Sequence, residues 1–161
     1  MMRVYGILCV VMFLVVSTSF AMAQGVIPDP TITPGAVATV DRTEICAKGP
    51  PTYSRIHRDR VHDTVMKRMV MRTYGYPLSD EHLYEGDHLV ELSIGGADVL
   101  SNFWAEPFEG PQNAHVKDLL EERVWKMLCV EGTLLPVQAQ ALFLAPADWR
   151  DSYRRIMGKE P

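Results

Sequence analysis

The sequence predicts one small α+β domain: a hairpin of two short strands followed by a helix, with additional packing helices and one disulfide. Three observations predict it. Apolar residues recur at helical spacing in residues 61–70 and again in 116–128. Between these stretches, residues 83–106 carry only short apolar runs broken by Gly95-Gly96, the pattern of two strands joined by a loop. The third observation is that only Cys46 and Cys129 remain once an N-terminal export signal is set aside.

That signal is read from its order. Arg3 precedes an apolar run from Ile7 to Val16, then Ser17-Thr18-Ser19, then Ala21-Met22-Ala23 before Gln24. A charged start, an apolar centre and a small-x-small end make a cleavable secretory peptide over residues 1–23. The run breaks well short of the about 20 apolar residues that a membrane span needs. Cleavage leaves 138 of the 161 residues, within the size of one domain. It removes Arg3 and Cys9, taking the formal charge from −4 to −5. So acidic a domain repels phosphate on the whole, and any affinity for nucleic acid has to come from a local basic patch. The expected location is periplasmic or extracellular, where two cysteines pair more often than they stay free.

Residues 24–52 read as an extended N-terminal arm, because Pro28, Pro30 and Pro34 oppose a helix there. The domain proper is expected over residues 53–161. A helix begins near Ser54, with Val61, Val65 and Met69 on its apolar stripe and Met66 and Val70 beside them, and ends at Gly75 and Pro77. Two short strands follow, the first before Gly95-Gly96 and the second containing Phe103-Trp104. The next helix follows Pro111, places Val116, Leu119, Leu120, Val124, Met127 and Leu128 on one side, and stops at Gly132. Pro136 opens a third helix that runs toward Pro146. Trp104, Trp125 and Trp149 are read as core anchors.

The strand, loop, strand, helix order collects polar groups: Asp87-His88 in the first strand, Asn102 at the start of the second, Asn113 and His115 at the mouth of the helix. The stretch Glu85-Gly86-Asp87-His88-Leu89-Val90-Glu91-Leu92-Ser93-Ile94-Gly95-Gly96, with Asn102-Phe103-Trp104 and Asn113-Ala114-His115-Val116-Lys117-Asp118-Leu119, resembles the HNH endonucleases. These are also called ββα-metal or His-Me finger nucleases, and the resemblance is closest to small exported bacterial proteins with an HNH-like motif. It extends from about residue 31 to Trp149, taking in the two cysteine segments and Ala139-Gln140.

The resemblance implies a ββα-metal core and metal-dependent hydrolysis of phosphodiester bonds in DNA or RNA. A nuclease needs a base to deprotonate water and a cation to neutralise the phosphate and the departing oxygen. By position, His88 is the implied general base and Asn102 ties the loop to the His88 backbone or ring. Asp87 and His115 are the implied metal ligands, with Asn113 as substitute. The implied ion is Mg²⁺, with Zn²⁺ or Mn²⁺ open. Adjacent strand residues point to opposite sides, so Asp87 and His88 serve one site only if the strand bends or ends there.

Each of these residues also has a plainer reading. Glu91 is expected on the surface, and His57, His62 and His82 receive no role. The basic run from Arg55 to Arg72 reads as a solvated helix face with Asp59 and Asp63 interleaved. Arg150, Arg154 and Arg155 near the C-terminus are a second basic group. The competing function is a non-catalytic exported module that keeps the hairpin as a scaffold and binds a partner. The acidic charge and the residues Glu91, Ser93 and Ala105, unusual for the motif, favour it.

Overall fold

The computed structural model of the protein describes residues 27–52 and 59–161. The expected signal peptide, Cys9, His57 and the expected helix start at Ser54 lie outside the described residues. The fold is α+β, with helices around a two-stranded antiparallel sheet and a Cys46–Cys129 disulfide.

Residues 27–40 wrap over the domain, with Val37 bridging to Gly96. The expected extended arm then becomes helical, a correction to the reading of residues 24–52. The Asp41 carboxylate accepts from the Thr43 and Glu44 amides and starts α1 (Arg42–Ala47), whose Ile45 is fully buried. Helix α2 (Arg60–Thr73) starts in the same way at Asp59. Its buried seam is Met66, Val70 and Met71, and the expected stripe of Val61, Val65 and Met69 is exposed. Both stripes are apolar, so the partner surface decides between them. The chosen face packs on Phe103 and Ala105, and Lys67 Nζ donates to the carbonyls of Glu81 and Tyr84.

Strand β1 (Tyr84–His88) pairs with β2 (Phe103–Pro107) in the register Glu85 to Glu106, Gly86 to Ala105, Asp87 to Trp104 and His88 to Phe103. The pleat sends Gly86, His88, Phe103 and Ala105 toward α2. Asp87, Trp104 and Glu106 go the other way. Between the strands the chain makes single helical turns at Leu92–Ile94 and Leu100–Asn102. A Cβ on Gly96 would lie 1.8 Å from the Val90 carbonyl oxygen, so this close approach of backbone to backbone demands glycine.

Helix α3 (Ala114–Trp125) is capped by Asn113, widens into a π-turn at Lys126–Val130 and ends near Gly132, as the sequence reading expects. Its apolar side is Leu120, Val124 and Leu128, but Leu119 is exposed and Lys117 and Glu121 are buried. Helix α4 (Pro136–Gln140) has proline at its first position. Helix α5 (Trp149–Met157), not anticipated beyond its basic residues, starts at Asp148 and buries Trp149 and Tyr153, four residues apart. The larger core joins these helices with Ile45, Val90 and Ile94, and the disulfide ties α1 to the end of α3 beside it. Among the described residues no helix is long and apolar enough to cross a membrane.

Candidate active site

His88 ends β1 on the α2 side, its ring edge-on to Phe103 at 4.8 Å between centroids. Its Nε2 lies 3.0 Å from Asp98 Oδ1. A carboxylate only accepts, so Nε2 carries the hydrogen in this pair. Nδ1 is buried and has no hydrogen-bond partner among the described residues. The other Asp98 oxygen, Oδ2, lies 3.3 Å from His62 Nε2 on α2. One half-exposed carboxylate thus bridges a buried imidazole and an exposed one.

Asp87 leaves β1 on the opposite face and meets α3. There Lys117 Nζ donates to Asp87 Oδ2 at 2.5 Å, to the His88 carbonyl at 3.0 Å and to Glu121 Oε1. Lys117 and Glu121 are one helical turn apart and both fully buried. Glu91 and Glu106 are buried as well, which corrects the surface reading of Glu91. Burial pushes the Glu106 carboxyl well above the usual range, with Lys117 opposing the shift and Asp87 adding to it. Burial likewise pushes Glu121 up to about 8 against the pull of Lys117. Burial alone would lower the Lys117 ammonium, but Asp87, Glu121 and Glu106 outweigh it and hold it well above the usual lysine value.

The other residues singled out in the sequence lie elsewhere. Asn102 is fully buried and uses its whole amide: Oδ1 accepts from the Val90 and Ala36 amides, and Nδ2 donates to the Val90 and Ala97 carbonyls. It ties the loop down, but to Val90, Ala97 and the N-terminal wrap and not to the His88 ring. Asn113 caps α3, accepting from the Val116 amide and donating to the Gly110 carbonyl. His115 is exposed against the Phe108 ring. At about 100° per residue it lies roughly 200° around α3 from Lys117, which faces Asp87. The α3 residue that reaches the expected ligand Asp87 is Lys117, while Asn113 caps the helix and His115 lies on another side of it.

What Asp87 joins instead is acidic. Oxygens of Asp87, Glu91 and Glu121 all lie within 4.8 Å of one another, a spacing that could hold a metal ion. Two of these three residues, Asp87 and Glu121, also receive the Lys117 ammonium.

The residues that sequence reasoning missed are Asp98, His62, Lys117 and Glu121. Lys117 and Glu121 carried one usable signal: charged residues spaced four apart within the apolar side of a helix. Asp98 carried none. Two of the three C-terminal arginines are held by carboxylates, Arg150 by Asp148 and Arg154 by Asp151 and Glu160; Arg150 also donates to the Gln112 side chain, and Arg155 donates to the Ser152 hydroxyl. No protein-family model, no curated protein and no solved structure matches the chain.

Proposed function

We propose that the chain is an exported hydrolase of phosphodiester bonds in nucleic acid, with His88 as the general base. The observation that carries this reading is the His88–Asp98 pair: one ring nitrogen is held by a carboxylate and the other is left without a partner among the described residues. That is what a base requires. Asp98 holds the tautomer, the lone pair on Nδ1 takes a proton from water, and the water oxygen attacks phosphorus as the ester oxygen departs. Asp98 then faces the imidazolium and offsets its charge. His62 meets the other oxygen of the same carboxylate, and in this reading it lies beside the substrate phosphate. The disulfide supports the exported location, since such bridges persist in oxidising compartments.

A second reading has an observation of its own. The His88 side chain is 0 % exposed, so water reaches Nδ1 only if what covers the ring moves. Its burial, and the placing of Asp87 and His88 on opposite faces, favour a non-catalytic module that keeps the hairpin as a scaffold. A plasmid-nicking assay with the purified protein, with and without divalent ions, separates the two readings. Cleavage that disappears in His88→Ala supports the hydrolase. No cleavage under any condition supports the scaffold, and cleavage that survives in His88→Ala removes His88 from the chemistry.

A further inference from the structure

The environment of Lys117 Nζ has the composition of a metal site. An ammonium has three hydrogens to donate and no lone pair. All three are used, on two carboxylates and one backbone carbonyl: Asp87, Glu121 and His88. Carboxylate and carbonyl oxygens are the ligands a hard divalent ion takes. The ring of Phe143, with its centroid 5.7 Å from Nζ, presents an aromatic face in addition to these oxygens. Lys117 is fully buried, and Asp87, Glu91, Glu106 and Glu121 are each buried to better than nine-tenths. A buried carboxyl group stays ionised only beside a compensating cation, and the chain supplies one from its own helix.

We propose that Lys117 is a built-in replacement for a divalent ion: its ammonium occupies the cation position of the Asp87, Glu91 and Glu121 cluster and keeps it free of metal. The assignment does not depend on the hydrolase reading, because it concerns which cation the cluster holds and not what the protein cleaves. It has a chemical consequence. A tethered ammonium carries one charge, leaves no coordination position open and is not lost to a chelator, whereas a bound divalent ion has affinity that competes with protons and chelators.

The test is a titration of the purified, disulfide-bonded protein with Mn²⁺ followed by electron paramagnetic resonance, together with thermal melts in Mg²⁺, Mn²⁺ and EDTA. The wild-type protein is expected to show no saturable Mn²⁺ site and the same melting temperature in all three. Lys117→Gln removes the charge and leaves the carboxylates. It is expected to melt lower in EDTA, to recover in Mn²⁺, and to bind one Mn²⁺ at least about tenfold more tightly than wild type. Adding Glu121→Gln to that variant is expected to weaken the new binding again. Saturable binding of one Mn²⁺ by the wild type, lost in Glu121→Gln, overturns the proposal. So does a Lys117→Gln protein that neither binds Mn²⁺ nor is restored by it, whether it is folded or unfolded in EDTA.

Discussion

Asp87 and His88 are neighbours in the chain whose side chains leave β1 on opposite faces: Asp87 meets Lys117 of α3, while His88 meets Asp98 and Phe103 on the α2 side. The pleat of a regular strand makes this unavoidable, and β1 stays regular through His88, paired to Phe103. One expected centre is thereby two: a histidine pair bridged by a carboxylate, and a buried carboxylate cluster around an ammonium.

The first centre predicts an ordered pair of kinetic effects. His88→Ala lowers the nicking rate by about 10²- to 10⁴-fold, the usual contribution of a general base. Asp98→Asn, which keeps the shape but can donate to Nε2 and so favours the wrong tautomer, lowers kcat by about tenfold or more at unchanged KM, as expected for a positioning residue. Steady-state rates on a short duplex check both. Equal KM and kcat losses in Asp98→Asn would point to a role in substrate binding instead.

The second centre predicts how stability varies with pH. The Glu121 carboxyl is pushed up to about 8 from its usual 4.5. Between those values the folded protein holds a proton that the unfolded chain has released, so the contribution is fully present below pH 4.5 and is lost as pH rises through 8. Unfolding free energy therefore falls across this window, with one such group contributing up to about 1.4 kcal/mol per pH unit. Glu106, displaced in the same direction, steepens the slope. Urea midpoints at pH 5 and pH 8.5 measure it, and Glu121→Gln reduces the difference.

Asn102→Ala removes four hydrogen bonds in the interior and leaves the Val90, Ala36 and Ala97 backbone groups unsatisfied. The expected cost is about 3 kcal/mol or more by chemical denaturation. Asn102→Asp is the informative control. It keeps the acceptor for the Val90 and Ala36 amides but sets an oxygen against the Val90 and Ala97 carbonyls, and it should destabilise at least as much.

Reducing the Cys46–Cys129 bridge frees a loop with a sequence separation of 83 residues. Stability falls by about 4 to 5 kcal/mol on the chain-entropy account. Melts with and without dithiothreitol, and of a Cys46→Ser/Cys129→Ser protein, give the value. A fall under about 1 kcal/mol would mean that the packing of Ile45 alone holds α1 in place.

The strands on either side of Gly95-Gly96, the helix from Asn113 toward Gly132, proline at the start of α4 and the cysteine pair were all legible in the sequence. Each rests on a local rule: a period, a cap, a glycine that a crowded backbone requires. The register of α2 was not legible, because Val61, Val65 and Met69 are as apolar as Met66, Val70 and Met71 and only the surface of β2 chooses between them. The same holds for the site. Asp87, His88 and Asn102 stood out by their order along the hairpin and by the motif they resemble, but which residues they meet depends on elements far along the chain. The resemblance in the sequence marked His115 at the mouth of α3 as the partner of Asp87. The rotation of α3 against the hairpin turns Lys117 and Glu121 to that place instead, and burial in a low-dielectric interior makes their charges matter.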